Sequence, residues 1–174
     1  MITISLSFCD YNNDYNRFVT FSRILLGLKG MPLKIRRVLA QILIGLVLVW
    51  NLQAALAFLI APDSFQGAFL LEGVSGRTAL RGIGILFLMW QIPYGFALVA
   101  PTRHRTSLLE ALLMQIVGFV GESALWGFLP LETAPLRDSL LRFMLFDGAG
   151  VILLGLALAL VSREKIRENK KEED

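Results

Sequence analysis

Among the polar side chains that interrupt the long apolar stretches of this chain, five stand out: Gln53, Arg81, Glu122, Arg142 and Asp147. Carboxylates accept protons and cations, guanidinium groups bind anions, and an amide both donates and accepts. Inside a membrane helix a charge costs about 2.5–3.5 kcal/mol at the centre on insertion scales, so these residues carry information. Glu122 and Asp147 each lie seven residues from one end of their apolar runs, and so does Gln53. That is roughly 11 Å of helix for each. Arg81 and Arg142 sit a few ångströms inside their own helix ends, within reach of the same level. The five therefore converge on one depth.

Helical angles refine this. Gln115, Gly118 and Glu122 follow the 3–4 spacing and share a face, which Glu110 does not join. Glu110 reads as a solvated residue near a helix start. Arg142 and Asp147 are about 140° apart and cannot both serve one partner. We expect Arg142 to pair with Glu122 and Arg81 with Asp147, leaving the cluster neutral. Three uses remain open: a pocket for a small apolar or ionic ligand, a lock holding the helices together, or an acid–base pair on an apolar substrate. Polar contacts between membrane helices return from well under 1 to about 2 kcal/mol, a modest gain for a lock. The ligand pocket is the first choice and catalysis the last.

The elements that must position these groups are four apolar runs, residues 38–60, 79–100, 108–129 and 140–161. Each is about 22 residues, or roughly 33 Å of helix, against a bilayer core of about 30 Å. Only 18% of residues are charged and 55% are hydrophobic. A soluble domain is nearer a quarter charged, and here the apolar residues come in blocks rather than stripes. Hydrocarbon leaves no backbone group unpaired, so the blocks must be helical. The expected fold is all-α: a four-helix transmembrane bundle in residues 31–161.

Basic residues set the orientation. Lys34, Arg36, Arg37, Arg103, Arg105, Arg163, Lys165, Arg167, Lys170 and Lys171 share one side. Arg77, Arg81, Arg137 and Arg142 lie on the other. The excess predicts cytoplasmic N- and C-termini, and we assign a bacterial cytoplasmic membrane. These bases flank the spans, so the formal net charge of +3 does not point to nucleic acid.

Residues 61–78 form the longest connection, with turn punctuation from Pro62, Gly67, Gly73 and Gly76. Ser107 with Glu110 suggests a capping box, and Pro130 and Pro135 separate the third and fourth helices. Trp50, Asn51, Trp90, Gln91 and Tyr94 lie near mid-membrane and read as helix packing in preference to cavity lining. Pro93 should kink the second helix. Gly82 and Gly84, Gly118 and Gly121, and Gly148 and Gly150 read as close helix approaches.

Residues 1–30 are polar and aromatic and are not a secretory signal peptide. They read either as an extension upstream of an initiator at Met31 or as a short disordered tail. Residues 162–174 read as a charged cytoplasmic tail, the frayed end of a helix. Cys9 is the single cysteine, and His104 stands between Arg103 and Arg105, so no metal site or cofactor is expected. No GxSxG, HExxH or Walker motif is present, and an enzyme is the less favoured reading.

The segment Leu80-Arg81-Gly82-Ile83-Gly84-Ile85-Leu86 opens the second helix with an arginine followed by glycines. In this, and in its order of spans over residues 38–161, the chain resembles small four-helix bacterial membrane proteins of the DoxX-like kind. The resemblance implies the four-helix fold and a link to membrane redox processes, and it carries over Arg81 alone. The spans hold no cysteine, which departs from a thiol-based role. A structural subunit that binds a membrane partner or its own copy is the alternative to ligand binding.

Overall fold

The computed structural model describes residues 31–172, with side chains as far as residue 162. Both readings of residues 1–30 lie outside the described residues. Helix α1 (Leu33–Ile60) leads through a short α2 (Asp63–Gln66) and a 3₁₀ turn (Gly67–Phe69) into α3 (Gly73–Val99). Helices α4 (Arg105–Phe128) and α5 (Ala134–Glu172) follow. The described chain is all-α, and α1, α3, α4 and residues Ala134–Ser162 of α5 are each long and apolar enough to cross a membrane. Helix α1 packs on α3 and α5, and α4 on the same two, which closes a four-membered ring. The seam between α3 and α4 is the loosest of the four.

The helices outrun the apolar blocks, and the reasons are local. Residues 61–78 are not a plain loop. Gly73 and Gly76 belong to α3, and the chain folds back on them. A Cβ at Gly76 would sit 2.9 Å from the Leu71 Cβ, so only glycine lets the turn close there. Gln66 Nε2 donates to the Gly73 carbonyl at 2.8 Å, and Arg77 pairs with Asp63 at 3.3 Å. Phe65 and Phe69 turn inward, edge-on to Phe58 at 5.1 and 5.6 Å between ring centroids. Such edge-to-face pairs are worth about 0.5–1.5 kcal/mol beyond burial.

Helix α3 runs through Pro93 to Val99. Helix α4 starts at Arg105, with no side-chain cap, so Ser107 and Glu110 lie within it and the expected capping box does not form. Its far end is capped by Arg137, which donates to the Leu129 carbonyl at 2.7 Å and the Trp126 carbonyl at 3.2 Å. The same guanidinium lies 4.1 Å over the Trp126 ring. A cation here complements the negative end of the helix. Pro135 falls in the first turn of α5 rather than between helices, where its missing N–H costs nothing.

The core occupies the half of the bundle nearest residues 33 and 162. Ala40, Ile44 and Val47 of α1 meet Tyr94 and Ala97 of α3, Leu108 and Ala111 of α4, and Leu154, Ala157 and Leu160 of α5. Buried Arg36 ties the start of α1 to this core by donating to the Leu160 carbonyl.

Candidate functional site

Above the sealed core the bundle opens into a cavity of about 260 Å³ that all four long helices line. Its floor is a chain of hydrogen bonds with one member from each. Tyr94 of α3 donates to Gln115 Oε1 of α4 at 2.5 Å, and Asn51 of α1 donates to the same oxygen at 3.4 Å. Gln115 Nε2 then donates to Asp147 Oδ1 of α5 at 2.6 Å. Gln115 is buried, and its amide spends both ends on this chain.

Glycines make the approach between α4 and α5 close enough. A Cβ at Gly118 would collide with the Asp147 carboxylate, and one at Gly150 would lie 2.6 Å from Gln115 Nε2. Each helix thus offers a notch for the other's polar side chain. Gly148 gives a third notch to the Phe119 ring, and Gly84 lies against the α1 backbone at Ala55. Gly82 and Gly121 differ from the expectation: a Cβ on either meets open space, and Gly121 lines the cavity.

The walls are aromatic. Trp50 lies 4.6 Å from Phe146, and Phe87 lies 5.7 Å from Trp90, centroid to centroid. Trp50, Asn51, Trp90 and Gln91 line the cavity, so packing was too narrow a reading of them; Tyr94 alone of that group belongs to the core. Two acceptors on the walls are buried without a donor, Glu122 Oε2 and Gln91 Oε1. Gln91 uses its N–H on the Phe87 carbonyl at 2.8 Å, one turn back, which leaves its oxygen for the cavity.

The five residues singled out by depth divide into three groups. Glu122 and Asp147 share this cavity. Gln53 and Arg142 line a second cavity of about 330 Å³, and Trp50, Phe143 and Phe146 form the partition between the two. Arg81 is exposed on the outside of the bundle and lines neither. The expected pairs, Arg142 with Glu122 and Arg81 with Asp147, do not form. Arg142 donates instead to the Asp138 carbonyl at 3.3 Å and Ser139 Oγ at 3.4 Å. Among the described residues the ion pair is Arg77 with Asp63, at the surface. The cause is azimuth: the 140° between Arg142 and Asp147 points them into different chambers. The site is consequently acidic rather than neutral.

Sequence reasoning gave Gln115 no role beyond sharing a face with Glu122, yet it is the hub. Its signal was present in that spacing, joined to a glycine at Gly118 and another across the seam at Gly150. Chemically, the arrangement holds one carboxylate by a donor and leaves the other available beside aromatic faces. No protein-family model matches the chain, and no characterised protein or solved structure shows significant similarity to it.

Proposed function

We propose that this is a small multi-pass membrane protein that binds a small ligand in the cavity between its four long helices. The observation that carries the reading is the pair of buried acceptors without donors, Glu122 Oε2 and Gln91 Oε1, on the walls of one aromatic-lined cavity. Buried polar groups in folded proteins are overwhelmingly hydrogen-bonded, and these two meet their partner in an occupant. Ligand sites have this make-up: apolar and aromatic walls with a few convergent polar groups. A lock accounts for Asp147, which is held by Gln115, and for nothing about Glu122. We place the protein in a bacterial cytoplasmic membrane with both termini inside; the excess of Lys and Arg at that end supports this.

Native mass spectrometry of the gently solubilised protein tests the reading. The wild type should carry a defined small-molecule adduct. Gly121→Met should lose it while keeping its helical content, because the new side chain grows from the cavity wall into open space. An adduct-free oligomer that Glu122→Gln dissociates would replace the ligand site with an assembly interface.

A further inference from the structure

We propose that the occupant is a lipophilic amine in its protonated form, with the ammonium N–H groups on Glu122 and Gln91 and the apolar part along the seam between α3 and α4. This rests on the ligand-binding reading above and gives its chemical class.

Charge is the first argument. The cavity is lined by two carboxylates and no Lys, Arg or His. An anion would find no positive side chain there to answer it. The second argument is hydrogen-bond polarity. Asp147 Oδ1 and the Gln115 amide are already engaged with each other. The buried wall atoms left without a partner both accept: Glu122 Oε2, and Gln91 Oε1 on a residue only 9% exposed. A ligand that satisfies both must donate twice, which an ammonium with its own N–H bonds does and a quaternary ammonium does not. Charge-assisted bonds of this kind are roughly twice as strong as neutral ones.

The aromatic walls supply the third argument. Faces of Trp and Phe attract a cation by about 0.5–2 kcal/mol, more as the site is dried. Trp50, Phe87, Trp90 and Phe146 surround the acidic groups. A metal ion is the poorer fit: among the described residues no three His, Cys, Asp or Glu side chains come together. Two carboxylates beside indole rings suit an organic cation better.

The way in is lateral. Cavity-lining Trp90 of α3 and Val117 and Leu125 of α4 are 40%, 69% and 57% exposed on the flank of the bundle. That flank faces lipid in a spanning helix pair, and it is the loosest seam. Polar groups lie inward and apolar groups at the mouth. The occupant shares this polarity, with a cationic head inside and an apolar tail toward the bilayer.

The test uses the full chain in nanodiscs of zwitterionic lipid, carrying Trp126→Phe so that the two cavity tryptophans, Trp50 and Trp90, report by fluorescence. Octylamine, octyltrimethylammonium and octanol are titrated at neutral pH. Octylamine should bind saturably, with the other two at least about tenfold weaker. Glu122→Gln should weaken octylamine about tenfold or more and leave octanol unchanged. Circular dichroism checks that this variant folds; should it not, Gln91→Leu removes the other acceptor and carries the same comparison. Equal binding of the three probes, or octylamine binding unmoved by both substitutions, overturns the assignment. Tight octanol binding without octylamine binding leaves the ligand site standing and removes the cation. If no probe binds and Gly121→Met leaves the native mass spectrum unchanged, both readings fall.

Discussion

The two halves of this bundle differ in polarity and in how they fill space. In the half near residues 33 and 162, each long helix places an alanine at full burial: Ala40, Ala97, Ala111 and Ala157. Four small side chains let the helices close, and Ile44, Leu108 and Leu154 complete the fill. One level further along, each helix places a polar residue instead: Asn51, Tyr94, Gln115 and Asp147. Beside and beyond that layer, Trp50, Phe87, Trp90, Phe143 and Phe146 line two chambers. Lipid tails are as apolar as leucine, so association depends on packing and interhelical hydrogen bonds rather than on hydrophobicity. Side-chain volume, read layer by layer, separates the sealed half from the hollow one.

The contrast can be broken most directly at a leucine in each half. Leu154→Ala, in the sealed core, should cost about 3 kcal/mol because the close-packed surroundings cannot collapse onto the void. Leu125→Ala, on the cavity mouth, should change stability by less than about 0.5 kcal/mol. Unfolding in mixed micelles measures both, and equal losses would erase the distinction between halves. The next effect belongs to the boundary. Gly150→Leu fills the notch that receives Gln115 and should cost roughly 2 kcal/mol by overpacking. A change at Gly121 should be free of that penalty; if Gly150→Leu is equally harmless, the notches are not what sets the α4–α5 distance. A smaller loss than at Gly150 is expected for Gln115→Leu, about 1 kcal/mol, since polar contacts between membrane helices are individually weak. Its tryptophan spectrum should shift nonetheless, because the floor beneath Trp50 and Trp90 changes; an unshifted spectrum would detach the polar layer from the cavity.

The four spans were legible because blocks of about 22 apolar residues have one solution in a bilayer. Their ends were not. Helix α3 begins at Gly73, where polar residues continue the helix and a glycine admits the returning turn, and neither fact leaves a hydropathy signal. The site was half legible for a similar reason. Counting residues along a helix gives depth, and depth correctly brought Glu122 and Asp147 to one level. It says nothing of where neighbouring helices stand around the axis. Arg142 therefore turned out to face the second chamber and Arg81 the outside. Trp50 and Trp90 were readable as large and central, while whether a large ring fills a gap or props one open is decided by its neighbours' volumes.

The four-residue chain through Gln115 also constrains the order in which the protein can be completed. With α1, α3 and α4 in place, Tyr94 and Asn51 already occupy the Gln115 oxygen, and its N–H still faces hydrocarbon. Only Asp147 answers it, and Asp147 arrives on α5, which leaves the ribosome after the other three. A nascent chain interrupted before α5 thus exposes an unsatisfied amide within the membrane, a recognisable mark of an unfinished molecule.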